Sequence, residues 1–163
     1  MLKPLDIDVY ALYCYTGIIS AAVIGIILNR ASSTKFKETI NKDFCFLLKF
    51  LILFCAWDAL WGFIGTSQIN RTAYVISSYG FHTLAALASY FCSDYIISYM
   101  GTKRRSRGTL RIIRICLLVI QLVVLYQNIF TETLFTIDAE GLYHSTPQRF
   151  ITFYLQFVHY IIA

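Results

Sequence analysis

The chain has 163 residues, of which 58% are hydrophobic, 17% aromatic and only 14% charged, and its mean hydropathy is +0.62. Soluble domains carry about 25% charged residues, so that class is excluded, and long apolar runs mark a multi-pass protein of the cell membrane whose surroundings are the lipid bilayer. A net charge of +5 could be a nucleic-acid footprint, but its concentration in two loops argues for membrane topology and against a nucleic-acid partner.

The segments predict an all-α membrane protein, a helical bundle of about five spans. The first covers 9–28. The stretch before it, MLKPLDIDVY, lacks a basic leader and carries Asp6 and Asp8, so it reads as part of a retained span and not as a signal peptide. Gly17, Ala21 and Gly25 recur every four residues on this span, a spacing that lets a neighbouring helix come close. The second and third spans, 44–65 and 73–100, are joined by the short loop TSQINRT and must run antiparallel. Ala85, Ser89 and Ser93 form a second strip of small residues on the third. The fourth span covers 112–130.

Between the fourth and fifth spans lies TLFTIDAEGLYHST. Two β-prone runs flank DAEG, where Asp138 starts a turn and Gly141 accepts the positive φ of a bulged hairpin. A lone hairpin is marginal, so this one is expected to lie on the bundle as a lid. Pro147 then leads into the fifth span, 148–163. At helical rise that segment reaches about 24 Å, short of a ~30 Å hydrocarbon core. It reads as truncated, with the chain as part of a longer protein.

Cationic residues orient the spans. Arg30, Lys35, Lys37 and Lys42 occupy the first loop, and Lys103, Arg104, Arg105, Arg107, Arg111 and Arg114 the third. The second loop has only Arg71, and the fourth has none. The positive-inside rule then places the first and third loops in the cytoplasm and the N-terminus outside, with Lys103, Arg104, Arg105 and Arg107 as the main topology anchors. Asn70-Arg71-Thr72 matches a glycosylation sequon, though its loop is too short and too close to the membrane to weigh much.

Charged side chains inside a bilayer cost roughly 2.5–3.5 kcal/mol each on insertion scales, so each needs a reason. On the second span these are Lys49 and Asp58, and on the third His82 and Asp94. In an antiparallel hairpin centred near residue 69, residues at equal depth have numbers adding to about 138. Asp58 with His82 and Lys49 with Asp94 both fit by depth. Lys49 and Asp58 point to opposite faces at about 100° per residue, and Lys49 can snorkel to the inner surface. Asp58 and His82 are therefore the candidate intramembrane pair, roughly 10–13 Å below the outer surface. They would serve either as a proton- or ligand-sensitive site or as hydrogen-bonding locks between helices. Asp94 can reach the cytoplasmic interface, and Lys49, Trp57 and Trp61 are secondary candidates, the tryptophans as interfacial belt, packing or pocket wall. Gln121, Gln156 and His159 rank below these.

Cys14, Cys45, Cys55, Cys92 and Cys116 lie in or beside apolar runs without paired spacing, so buried thiols are expected, with no metal site and no cofactor. No catalytic motif is present and no enzymatic role is expected of these residues. A transporter component or a stand-alone membrane subunit is the rival to a sensor. Three stretches, WDALWGF, SYFCSDYIISYMGT and LFTIDAEGLYHSTP, resemble the N-terminal membrane sensor region of Gram-positive bacterial signalling proteins, in which several spans precede a GGDEF diguanylate cyclase or a histidine kinase. The resemblance implies a bundle that perceives a small ligand, here unknown, or a membrane cue, and a homodimer that sets the arrangement of paired output domains. No GGDEF string and no kinase histidine box occur in the chain.

Overall fold

The computed structural model describes residues 4–33, 38–67, 71–100, 104–138 and 143–163. Four long helices come first: α1 (Pro4–Ser33), α2 (Glu38–Ser67), α3 (Arg71–Tyr99) and α4 (Arg104–Thr131). Two short strands follow, β1 (Phe135–Ile137) and β2 (Tyr143–Ser145), then a 3₁₀ turn at Pro147–Arg149 and helix α5 (Phe150–Ile162). Three segments are long and apolar enough to cross a membrane: Val9–Ser32, Lys42–Thr66 and Gly108–Thr131. α1, α2 and α4 overrun their apolar cores at both ends, because the flanking polar residues continue the helical hydrogen bonding. Lys103, Asn70 of the sequon and the turn around Gly141 lie outside the described residues.

The bundle is apolar outside, and its interior mixes buried polar groups with apolar ones. Leu12, Ile19, Ile26, Val123, Phe130 and Phe157 are exposed, whereas Ser78, Ser93, Arg114, Gln121, Asn128 and His159 are buried. Water would not tolerate that arrangement. In lipid it is favourable, since the tails solvate the apolar faces and helices associate through close packing and interhelical hydrogen bonds.

α1 and α2 meet through glycine. A Cβ on Gly17 would lie 2.7 Å from the Cys55 carbonyl oxygen, and one on Gly62 would lie 2.7 Å from that of Tyr10. Gly17 therefore performs the close approach read from its spacing, but Gly25 has nothing within 4 Å and takes no part. The strip on α3 is also used, with Ser89 and Ser93 buried.

α2 and α3 form the antiparallel hairpin in the register set by equal depth. Phe46 and Phe50 pack on Phe91, Phe54 stacks on Phe81, and Trp61 stacks on Tyr74 and Phe81. The two indole N–H groups cross the seam, from Trp57 to the Ser77 carbonyl and from Trp61 to the Ser78 hydroxyl, each at 2.9 Å. Both tryptophans thus act as interhelical ties. Of the cysteines, Cys116 is exposed and the other four half-buried, all as free thiols, so burial of the thiols is only partial.

Candidate functional site

The hairpin is built where α4 ends. Glu132 takes φ 49° and its N–H donates 2.9 Å to the Asn128 carbonyl, a left-handed helix stop usually made by glycine. The Asn128 side chain then holds the first strand. Its Oδ1 accepts the Leu134 N–H at 2.6 Å, and its Nδ2 donates to the Phe135 carbonyl at 3.0 Å and the Tyr79 hydroxyl at 3.2 Å. Thr146 closes the base, its N–H and hydroxyl both donating to the Leu134 carbonyl. β1 and β2 pair antiparallel with Phe135 opposite Ser145, Thr136 opposite His144 and Ile137 opposite Tyr143. Arg71, at the start of α3, donates 3.1 Å to the Ile137 carbonyl and pins the far edge. His144 Nε2 sits 2.9 Å from the Asp138 carboxylate on the exposed side.

Beneath the hairpin lies a chamber of rings. Phe135 stacks on His82 at 5.2 Å and on Tyr143 at 5.2 Å. Tyr143 meets the edges of Trp61 and Tyr74, and its hydroxyl lies 3.4 Å from His82 Nε2. Tyr10 from α1 completes the wall, contacting Trp61 and accepting the Tyr74 hydroxyl at 3.0 Å. Burial pushes the Tyr143 phenol up to about 12, against the opposing pull of the Arg149 guanidinium beside it. The hairpin is therefore a lid, and it closes over His82.

It does not bring in Asp58. Among the described residues no hydrogen bond joins Asp58 to His82, and Asp58 Oδ1 is buried without a partner. The expected pair is corrected by rotation. The depth register holds, but the face of α2 that meets α3 is occupied by Phe54, Trp57 and Trp61. Asp58 lies one residue past Trp57, about 100° around the helix. Lys49 is exposed, and among the described residues no ion pair joins it to Asp94.

Asp94 has another partner. Arg114 Nη2 donates 2.5 Å to its carboxylate, with the arginine side chain 1% exposed and the aspartate 47%. The guanidinium carbon sits 5.3 Å over the Tyr90 ring, which itself lies edge-on to His159. Arg114 is thus no cytoplasmic loop cation but part of the helix interior. Above it on α4, Gln121 Nε2 lies 3.5 Å from the Thr152 carbonyl of α5. Arg114 Nε, Gln121 Oε1 and both His159 ring nitrogens are buried without hydrogen-bond partners. These residues carried a legible signal. Arg114, Gln121 and Asn128 recur every seven residues, as do Thr152 and His159, and such spacing keeps groups on one helix face. Arg104, Arg105 and Arg107 occupy the first turn of α4. Among the described residues, no group of three or more His, Cys, Asp or Glu side chains could hold a metal ion.

A cleft of about 590 Å³ lies on the other side of β1, between α3 and α4, with Trp57 at its wall. It shares Phe135 with the ring chamber.

The chain matches no protein-family model, no curated protein and no solved structure.

Proposed function

We propose that this chain is the membrane-embedded input module of a bacterial signal-transduction protein, a five-span bundle with its N-terminus outside that responds to a small ligand or membrane cue. The observation that carries the reading is the lid. The hairpin is seated on His82, Trp61 and Tyr74 through Phe135 and Tyr143, and β2 runs through the 3₁₀ turn directly into α5. A cue that lifts the hairpin from the rings therefore pulls on the outer end of α5. Ring contacts of about 0.5–1.5 kcal/mol each suit such reversible seating. The orientation follows from the cation-rich first and third loops, and the resemblance to sensor regions of cyclases and kinases supplies the output and the homodimer. No residue here is assigned a catalytic role.

The reading frame beyond codon 163 tests this proposal. Continuation into a cytoplasmic cyclase or kinase module supports it, and a stop codon at that point overturns it. In the continuous protein, Phe135→Ala should alter the output at normal expression; unaltered output would remove the lid from the mechanism.

The buried polar stripe favours a second reading, a transport component, because ionisable groups inside a membrane often line ion or proton paths. Proton flux through proteoliposomes, lost in His159→Phe, would support it.

A further inference from the structure

We infer that the cleft between α3, α4 and β1 binds a phosphoethanolamine phospholipid, with its phosphate on Arg71 and its ammonium on Glu132. The volume of about 590 Å³ lies within the ~300–1,000 Å³ range of ligand sites. The interior is apolar, with Val75 and Gly80 on α3 and Trp57 behind them. Gly80 shapes the floor, since a Cβ there would lie 2.4 Å from the Trp57 ring, and only glycine lets the indole lie against the helix. At the rim, Ile76 and Ile129 are more than half exposed and belong to the outer apolar face of the bundle. The cleft thus opens sideways to acyl chains.

The mouth selects the headgroup. Arg71 is the first residue of α3 and Glu132 lies one past the end of α4, so both stand at the hairpin end of the bundle, and both line the cleft. They carry opposite charges but form no ion pair with each other among the described residues. Two unlike charges held apart at the rim of an apolar slot match a headgroup that is itself a dipole. Arg71 uses one N–H on the Ile137 carbonyl, leaving guanidinium donors for a phosphate. Glu132 holds φ 49° where glycine would be easier, and strain of this kind persists where a side chain is needed in place. The bound acyl chain would touch Phe135 and Ile137, the lid's own first strand. Binding itself does not depend on the signalling reading, and its failure would leave that reading untouched.

The test uses Trp57 as the reporter. The Trp61→Phe chain, with Trp57 as its sole tryptophan, is reconstituted into phosphatidylglycerol vesicles. These contain a minor fraction of phosphatidylethanolamine or phosphatidylglycerol brominated on the acyl chain. We expect the brominated phosphatidylethanolamine to quench with about fivefold higher apparent affinity, a preference sharply reduced in Glu132→Gln, whereas Arg71→Gln weakens quenching by both lipids. Equal quenching by both lipids means ordinary boundary lipid and overturns the proposal, as does absence of quenching by either or a preference unaffected by Glu132→Gln. Should Trp61→Phe fail to fold, native mass spectrometry of the unaltered chain asks the same question. Retained phosphatidylethanolamine over phosphatidylglycerol supports the site, and equal retention overturns it.

Discussion

Around His82 the elements touch ring to ring: Phe135, Tyr143, Trp61 and Tyr74 share the contact between the hairpin and two helices. Around Arg114 they meet through one buried guanidinium, the Asp94 carboxylate and the Tyr90 face. The first arrangement divides its energy among many individually weak ring contacts. The second concentrates it in one directional pair, and removing Asp94 leaves the buried guanidinium without its counter-ion. The hairpin end thus rests on many ring contacts and the Arg114 end on one buried ion pair.

The largest expected effect tests the anchor. Asp94→Ala should cost about 3 kcal/mol of stability in detergent unfolding, because Arg114 then keeps a buried charge without a counter-ion. Arg114→Met added to that variant should recover most of the loss. A silent Asp94→Ala would break the comparison, since the Arg114 end would then be no more pinned than the hairpin end.

Asn128→Leu comes next, at about 2 kcal/mol, since it strands the Leu134 N–H and the Phe135 carbonyl together. Hydrogen exchange should accelerate in 134–137 and 143–146 and stay slow around Arg114. Uniform acceleration would mean that the two ends unfold as one unit.

The lid should also respond to alkali. Burial raises the Tyr143 phenol from near 10 to about 12, so the seated form retains its proton longer than the lifted one. Seating is unaffected below pH 10, weakens as pH rises from 10 to about 12, and levels off above. Exchange rates of the hairpin amides, corrected for intrinsic base catalysis, would show this, and Tyr143→Phe should remove it. Smallest, and opposite in sign, is Glu132→Gly, which relieves the left-handed strain and should stabilise the chain by about 0.5–1 kcal/mol.

Much of the hairpin end was legible. The β-prone runs around DAEG foretold the hairpin, and the marginal stability of a free hairpin foretold its docking. That it docks on His82 was not legible, because the contact joins residues sixty-one apart in sequence. The Arg114 end misled for a different reason. Arg114 follows a dense cluster of cations, and charge counting assigned it to the loop. Its seven-residue spacing from Gln121 and Asn128 was the better guide.

The sequence by itself determined that this is a membrane protein, since apolar periodicity and loop charge depend only on local composition and the thickness of lipid. It also determined the depth of residues along the α2–α3 hairpin, because helical rise is a constant. Which faces meet was decided by tertiary structure alone. The fit of Gly17 and Gly62 between α1 and α2 and the stacking of rings along α2 and α3 set each helix's rotation. Rotation is a matter of close packing between surfaces distant in sequence, and it separated Asp58 from His82 while joining Asp94 to Arg114.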